Sequence, residues 1–484
     1  MAMKSDRSKH VWSVARRLGT FAGAAVVGLG VLCVAFDHRF HPRPSRPSFA
    51  PPADQADADR QDIDALAQIL SLDESFDDAK RAAFERQRAA LRARTGRLTR
   101  AQFELGIASL VALSENGHTT VSTTQRAGRF ARVPLRFAWF AEGLFIVRAT
   151  ARHRDLLGAQ VEEIDDRPPE DVRAAARPFL SGTPELSWPY ATLLFEEPTL
   201  LHAIWADAPE GRLALRLRMP SGEVAWRDIV PVEANPETPP IEPVRVIAPR
   251  AIAGEGPEWK TAIADDGDLP VSLLEPDRSV YDADMSGGVY VRVNAIQDDD
   301  RGPLNDQLAQ ILARSPAGGW RWFALDLRFD GGGDYTKTLA FTRELGEHIR
   351  PDGTLYLMTG NSTFSAAIVT LARAKALTPA RSIIVGEMVG DHQPFWAERG
   401  EALVLPNSGI RVSYATGKHD WSRGCMNPLS CFWLNLPYGV AAGDLAPERP
   451  VAWRYADYVI RRDTVLDAVR DAVDHGGERG AFVR

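Results

Sequence analysis

The clearest alternation of hydrophobic and polar positions lies between Phe323 and Ala374. Phe323 to Leu327 are apolar except for Asp326 and predict a buried strand, which is followed by three consecutive glycines and then a helical pattern. A second apolar strand, Thr354 to Thr359, ends in a short polar turn, and Ser365 then opens another helical pattern. Two successive strand–turn–helix units predict parallel strands whose turns share one edge of a sheet, where α/β proteins place their sites.

The two turns at this edge carry residues suited to nucleophilic chemistry. A serine at a helix N-terminus lies beside free backbone N–H groups and the positive end of the helix dipole, which stabilise an alkoxide or oxyanion. The glycines Gly331 to Gly333 let a peptide N–H face a ligand without side-chain obstruction. The pattern therefore fits a nucleophile beside an oxyanion hole. It also fits a plain glycine-rich loop and a helix with Ser362 or Ser365 as its N-cap.

The rest of the hydrophobic pattern predicts the domain organisation. Residues 37–60 are rich in proline and charge and predict an extended linker. Helical periodicity dominates residues 61–125, and alternating half-buried strands dominate residues 126–250. Residues 251–484 contain the two strand–turn–helix units and predict an α/β catalytic domain.

The first residues predict a membrane anchor. Residues 1–17 carry five Lys or Arg and one acid, and residues 18–36 contain no charge, which is near the length that spans a bilayer. The cationic flank predicts a cytoplasmic N-terminus, so residues 37–484 would lie on the extracytoplasmic, periplasmic side. A cleaved signal peptide is the alternative. The length of the apolar run, and its end without a small-x-small site, favour an uncleaved transmembrane helix with Cys33 inside the membrane.

Composition excludes some functions and leaves others open. The chain has 484 residues, a net charge of −7 and 45% hydrophobic residues, which is typical of a globular protein and argues against nucleic-acid binding. Its histidines form no metal-ligand motif, so we expect neither a metal nor an organic cofactor. Cys425 and Cys431 lie six positions apart and could close a small disulfide loop in an oxidising compartment, or remain two buried thiols.

Three segments in order resemble the tail-specific (C-terminal-processing) and tricorn-type serine peptidases. LDLRFDGGG is similar to their glycine-rich strand end, NSTFSAA to their nucleophile segment, and IIVGE to the strand that follows. The resemblance covers roughly Gly288 to Asp471. It implies a crotonase/ClpP-like ββα core with Ser365 as the nucleophile, and an oxyanion hole formed by the amides of Gly331, Gly332 and Ala366.

The same resemblance implies a histidine base. The segment ENGHTT, which follows a predicted helix, is similar to the one that carries the general base of tricorn-type peptidases, and this identifies His118. The C-terminal-processing branch uses a lysine after the serine instead. This sequence has no lysine from Ala376 to Gly417, and Lys375 would lie about 15 Å from Ser365 along the helix. We therefore favour the Ser/His branch, with His392 as the second candidate base.

Tricorn-type sites add a carboxylate that orients the catalytic group. The loose similarity near the C-terminus makes Glu448 the candidate and Asp444 the next, whereas Glu387 in the VGE segment is interpreted as structural. Two departures weaken the resemblance. Asp330 stands where the family usually has Asn or a small residue, and Asn116 replaces an Asp near the base.

The middle region resembles a PDZ-like module. LLGAQVEEIDDRPPEDV predicts a strand, a turn and a helix, and Leu156 to Gly158 would then help to hold an extended peptide by strand addition. A structural β-domain or cap is the alternative. Trp188 to Tyr190 could line a groove, although core packing explains them as well.

Together these observations predict a membrane-anchored serine peptidase that hydrolyses polypeptides outside the cytoplasm. Two alternatives stay open. A catalytically inactive relative would bind protein termini, and an esterase-type hydrolase could use the same site geometry. The sequence indicates no oligomeric state.

Overall fold

The computed structural model describes residues 28–205, 211–237, 243–250, 255–264 and 267–475. Of the predicted membrane segment, residues 18–27 lie outside these ranges, and residues 28–36 belong to a helix that continues to residue 40. Within the described ranges, none of the helices combines the length and the apolar character needed to cross a bilayer.

The helices and strands follow one another along the whole described chain. The helices are α1 (28–40), α2 (Gln55–Leu66), α3 (Ile69–Leu72), α4 (Asp78–Ala93), α5 (Arg100–Ala112), α6 (Pro169–Ala176), α7 (Ser187–Phe195), α8 (Pro198–His202), α9 (Pro243–Ile247), α10 (Leu304–Ala313), α11 (Leu339–Glu344), α12 (Ala366–Leu377), α13 (Asn435–Tyr438), α14 (Tyr455–Val459) and α15 (Thr464–Asp474). The strands are β1 (Leu135–Phe140), β2 (Gly143–Thr150), β3 (Gln160–Ile164), β4 (Leu213–Arg218), β5 (Val224–Ile229), β6 (Trp259–Thr261), β7 (Val280–Met285), β8 (Gly288–Val293), β9 (Trp320–Asp326), β10 (Ile349–Thr359), β11 (Ser382–Gly386), β12 (Pro394–Ala397), β13 (Leu403–Val404), β14 (Arg411–Val412), β15 (Gly417–Asp420) and β16 (Arg449–Pro450).

A six-stranded sheet with the order β16-β11-β10-β9-β8-β7 lies within residues 251–484, the domain predicted to be catalytic, which we call the catalytic region. Only β7 pairs antiparallel in it, with β8. The strands β9 and β10 run parallel, with Phe323 opposite Leu355 and Leu325 opposite Leu357. The parallel pairing predicted from the two strand–turn–helix units is therefore confirmed, and both turns lie at one edge of the sheet.

Both faces of this sheet are covered, which explains the apolar runs in its central strands. One face, with Phe323 and Leu325, packs against α10, α11 and α12 in a single buried cluster. The other face, with Trp322 and Tyr356, packs against α15. Successive side chains of a strand point to opposite faces, so a strand covered on both sides needs a continuous apolar run.

A second, antiparallel sheet with the order β1-β2-β3-β4-β5 forms the middle region, and β6 adds to β2. Its core is closed by residues of α6 and α7, among them Val172 and Phe195. This region packs against the C-terminal part of the chain. Tyr455 of α14 stacks on Phe145 with ring centroids 3.7 Å apart, and its hydroxyl would lie 2.7 Å from a Cβ added to Gly158.

The N-terminal helices pack on the catalytic region as well. Asp54 caps α2, which therefore begins at Gln55, inside the segment assigned to the linker. Thr99 and Gln102 form a capping box at the start of α5. Residues of these helices share a buried cluster with the β13–β14 hairpin, so the helical segment and the catalytic domain have a common core.

A buried ion cluster joins the end of β9 to the start of α15. Arg328 donates to both Asp326 and Asp463 at distances of 2.6 to 3.0 Å. Burial alone would raise the pKa of Asp463, but the charge and hydrogen bonds of Arg328 and the hydroxyl of Ser272 hold that pKa below its ordinary value. Asp463 also accepts from the N–H groups of Val465 and Leu466 and so caps α15.

Replacing Asp463 by Asn tests this cluster. The variant keeps a helix-capping oxygen but leaves the buried Arg328 with one carboxylate fewer, so we expect its free energy of unfolding at pH 7 to fall by about 3 kcal/mol. The pKa of Asp463 is lower in the folded than in the unfolded state. Its ionised form therefore stabilises the fold above the unfolded-state pKa, and this stabilisation is lost as the pH falls through the folded-state pKa. The difference between variant and wild type should therefore shrink towards low pH in urea titrations.

Asp467→Asn is the matched control, because Asp467 pairs with Arg462 on the surface. Surface pairs contribute little, so this change should stay below about 1 kcal/mol. An equal loss in both variants would show that the buried cluster has no special role.

Candidate active site

Ser365 lies at the edge of the sheet predicted from the sequence, between the end of β10 and the start of α12. Its backbone has φ +56° and ψ −122°, a conformation that non-glycine residues rarely adopt and that presents a nucleophile on a sharp strand-to-helix turn. Hydrogen bonds to the end of β9 hold the turn. Thr363 donates through its hydroxyl to Leu327 O at 2.7 Å, and the N–H of Phe364 donates to Asp330 O at 3.0 Å.

The glycine-rich turn after β9 packs directly against this serine. Gly332 has φ +100°, and a Cβ added there would lie 2.7 Å from Ser365 Cβ and 3.0 Å from Ala366 N. A side chain at this position would therefore displace the nucleophile. The close approach explains why the sequence needs a glycine here.

His118 reaches Ser365 from the N-terminal helical segment. It follows α5 after a short turn, and its Nε2 lies 2.9 Å from Ser365 Oγ. Asn116 holds the turn, because its side-chain oxygen accepts from Trp396 N–H at 3.4 Å while its amide donates to Thr119 at 3.0 Å. The histidine chosen from the sequence and the serine are therefore in contact.

The carboxylate beside the histidine is Asp391. Its Oδ2 lies 3.3 Å from His118 Nδ1, and its side chain is fully buried. The other oxygen, Oδ1, accepts from the backbone N–H of His392 at 2.8 Å. His118, Ser365 and Asp391 thus form a line of nucleophile, imidazole and carboxylate.

Two aromatic rings hold the imidazole of His118 between them. Phe364 stacks on one face at 4.4 Å between ring centroids, and Phe395 stacks on the other at 5.4 Å. His419 stacks on the far side of Phe395 at 4.9 Å. Burial lowers the pKa of His419 below its ordinary value despite its contact with Glu398, which favours the neutral form of this second imidazole.

The backbone amides of the predicted oxyanion hole differ in their partners. The N–H of Gly332 donates to Asp330 Oδ1 at 2.8 Å. In the described part of the chain, the N–H groups of Gly331 and Ala366 donate to no acceptor. Of the three predicted amides, that of Gly332 thus has an acceptor, whereas those of Gly331 and Ala366 have none among the described residues.

Asp330 is a buried acid at the base of the glycine turn. Burial raises the pKa of its carboxyl well above the ordinary value, and the single N–H from Gly332 offsets this only in part. Its Oδ2 is buried and has no hydrogen-bond partner in the described structure. Burial therefore favours the neutral form of this carboxyl, which repels a negative charge beside Ser365 less than the ionised form would.

The other candidates for the third group lie apart from His118, which corrects the expectation for Glu448. Glu448 accepts from Ile384 N–H at 3.2 Å, lies 3.8 Å from Lys375 Nζ and is about half exposed. Asp444 accepts from Gln393 at 2.7 Å. The side chain of Asp391, which sequence reasoning missed, takes the place assigned to Glu448.

Two further residues from the sequence can now be located. His392, the second candidate base, is exposed, and its backbone N–H rather than its ring contacts Asp391. Glu387 accepts from Asn361 at 3.3 Å, and burial raises the pKa of its carboxyl. Asp391 directly precedes His392, so an acid beside a candidate base was the one sequence signal that could have identified it.

A cavity of about 330 Å³ lies beside the turn that carries Ser365. The middle region contributes one wall through β1 and α7, with Trp139, Trp188 and Pro189. The catalytic region contributes the other wall, with residues 359–362 and Glu387. The sequence placed Trp188 to Tyr190 either in a groove or in the core. Trp188 and Pro189 line this cavity, and Tyr190 is exposed.

Cys425 and Cys431 form a disulfide that closes a short loop before α13. Cys33, which the sequence placed in the membrane segment, is an exposed free thiol in α1.

Comparisons with known proteins identify the fold. No protein-family model matches the sequence, and a comparison with curated protein sequences gave no match. A crystal structure of mature CPAF is similar at 14% identity and a TM-score of 0.55, covering 89% of this chain and 99% of that one. Mature CPAF complexed with lactacystin is similar at 13% identity and a TM-score of 0.54, covering 88% and 99%.

The photosystem II D1 C-terminal processing protease is similar at 13% identity and a TM-score of 0.39, covering 87% of this chain and 99% of that one. The likeness to mature CPAF shows that this chain shares its mixed α/β fold over nearly the full length of both proteins.

Asp330→Asn tests the neutral buried acid. The Asn side chain can accept the Gly332 N–H without carrying a charge, so the variant should be more stable than wild type at pH 8. Because the pKa of Asp330 is raised in the folded state, the wild type loses stability as the pH rises above about 4, the pKa of this group in the unfolded chain. The stability gain of the variant should therefore disappear towards pH 4.

Denaturant titrations across this pH range measure the gain. Asp334→Asn, an exposed position in the same turn, is the control and should show no such pH-dependent gain. A variant less stable than wild type at pH 8 would contradict a neutral Asp330.

Proposed function

We propose that this chain is a serine peptidase in which Ser365 is the nucleophile, His118 the general base and Asp391 the residue that orients the base. The observation that carries the proposal is the 2.9 Å contact between Ser365 Oγ and His118 Nε2, with a buried carboxylate 3.3 Å from the other ring nitrogen. This is the arrangement of nucleophile, base and orienting acid that defines a triad on any fold.

The first half of the reaction follows from this geometry. With its proton on Nδ1, facing Asp391, the imidazole of His118 accepts the hydroxyl proton of Ser365 at Nε2. Ser365 Oγ then bonds to the carbonyl carbon of the substrate. The C–N bond breaks as His118 returns the proton to the leaving amine, which leaves an acyl ester on Ser365.

Hydrolysis of the ester repeats the same proton transfers. A water molecule gives its proton to His118 Nε2 and attacks the ester carbon, and the proton then returns to Ser365 Oγ as the acid product leaves. In both halves the negative charge on the carbonyl oxygen falls near the amides of Gly331 and Ala366, which donate to no acceptor in the described part of the chain.

The choice of peptides as substrates rests on the motif resemblance to tail-specific and tricorn-type peptidases. We assign the chain to their Ser/His branch because His118 contacts the serine. The crotonase/ClpP-like ββα core and a PDZ-like role for the middle sheet belong to this proposal as well. The same holds for attachment to a membrane through residues 18–36, with the catalytic part on the extracytoplasmic side.

Two other functions make different predictions. An inactive relative that binds protein termini would neither cleave a substrate nor react with a fluorophosphonate probe at Ser365. An esterase would react with the probe and cleave esters but not peptides. Probe labelling and a panel of peptide and ester substrates therefore separate all three functions.

Cleavage of an unfolded model protein by the full chain tests the Ser/His pair directly. Ser365→Ala and His118→Ala should each lose at least about a hundredfold in kcat/KM, as in other triad sites. His392→Ala is the matched control, because this histidine is exposed and its ring does not reach Asp391 or Ser365. Its activity should equal that of wild type.

Full activity of His118→Ala beside an inactive Ser365→Ala would place the base elsewhere. If wild type neither cleaves nor binds the probe, the peptidase proposal fails in favour of the binding function.

Asp391→Asn tests the orienting carboxylate against the residue expected from the sequence. The amide cannot stabilise the protonated imidazole, so we expect kcat to fall by about 10² to 10⁴ with little change in KM. Glu448→Gln alters a half-exposed carboxylate away from His118 and should leave kcat unchanged. The reverse result, with Glu448→Gln inactive and Asp391→Asn active, would restore the expectation for Glu448.

A further inference from the structure

Helix α1 changes character along its length. Its first part exposes large apolar side chains, and Leu29, Val31, Leu32 and Val34 are each more than half exposed. Its last turn packs on the protein, where Phe40 is fully buried. The exposed part continues the charge-free segment that begins at residue 18.

The last turn of α1 packs against the residues around the disulfide loop, which we define as residues 425–434. The Phe36 ring lies 5.5 Å from that of Phe432 and 5.9 Å from that of Trp433. Arg39 donates to Leu429 O at 2.9 Å. The loop is therefore held at the point where the chain leaves the catalytic region towards its N-terminus.

The disulfide loop exposes apolar side chains of its own. Met426 is 69% exposed and Leu429 is 80% exposed, the highest value among the large hydrophobic residues described. The disulfide between Cys425 and Cys431 closes the loop around both. The loop contacts α1, and both elements expose large apolar side chains, which together suit an apolar partner.

The geometry of α1 identifies the partner. Leu32 and Arg39 are seven residues apart, which is about 10 Å along a helix. If residues 18–36 span a bilayer, the contact between Arg39 and Leu429 lies within about two helical turns of its hydrocarbon region. The disulfide loop then lies close to the lipid surface. The exposed Arg43 follows α1 by three residues, the exposed Arg423 precedes the disulfide loop by two, and both suit phospholipid phosphate groups.

We propose that the disulfide loop inserts Met426 and Leu429 into the surface of the membrane that holds the N-terminal helix. This contact fixes the orientation of the catalytic region on the bilayer. With the helix as the single attachment, the region could rotate about the helix axis, and a second attachment through the loop prevents this rotation. The inference rests on the membrane attachment included in the proposed function and is independent of catalysis at Ser365.

Photo-crosslinking of the full chain in nanodiscs tests the contact. The discs contain phosphatidylcholine, phosphatidylglycerol and a lipid with a diazirine on its acyl chain, and crosslinks are mapped by mass spectrometry. We expect lipid adducts on residues 28–36 and on residues 425–434. Residues 224–232, which carry the exposed Val230 in the middle region, should remain unlabelled.

Substitution then isolates the loop. The double variant Met426→Asp/Leu429→Asp should lower lipid adducts on the loop about tenfold, as two charges at a bilayer surface cost more than about 1.4 kcal/mol. Val230→Asp is the matched control, an exposed valine changed to the same acid, and should leave loop labelling unchanged. All these side chains are exposed, so the variants should melt at the wild-type temperature.

Each outcome is decisive. Loop labelling no higher than that of residues 224–232 would overturn the proposal. Cleavage of a soluble unfolded protein is measured on the same discs. If the wild-type loop is not labelled but the protein is cleaved, the membrane contact alone is refuted. If the loop is labelled but the protein is not cleaved, the peptidase proposal is refuted.

Discussion

The site depends on one close contact, between the glycine turn after β9 and the backbone of Ser365. A side chain at Gly332 would overlap the serine, and the serine itself has a positive φ that costs backbone energy. Such strain persists only where surrounding contacts determine the conformation. Here the parallel pairing of β9 with β10 brings the two strand ends together, and hydrogen bonds from Thr363 and Phe364 join them.

The second requirement is a histidine supplied from outside the catalytic sheet. His118 follows the N-terminal helices, and these share a buried core with the β13–β14 hairpin. The packing of that core therefore sets the distance between His118 and Ser365. The rings of Phe364 and Phe395 then restrict the imidazole to one plane, in which its two nitrogens face the serine and Asp391. Stability of the helical segment and geometry of the site are thus linked.

The buried ionisable side chains near the end of β9 differ in whether an opposite charge offsets the cost of their burial. Arg328 and Asp463 remain charged because each satisfies the other, and they join β9 to α15. Asp330, two residues beyond Arg328, has no cation beside it among the described residues, and burial favours its neutral form. Near a site that develops negative charge, a neutral acid is compatible with catalysis, whereas an ionised one would oppose it.

The sequence by itself determined the strand–turn–helix units, the serine at the start of α12 and the glycines beside it. These features have local causes. A strand that is buried on both faces needs a run of apolar residues, and a backbone in close contact with its neighbour needs a glycine. Motif similarity also identified His118. Only the tertiary structure decided that Asp391 and not Glu448 faces the histidine, and that the Gly332 amide is already occupied. Both depend on distances between side chains brought together by the packing of separate regions, which no periodicity along the chain encodes.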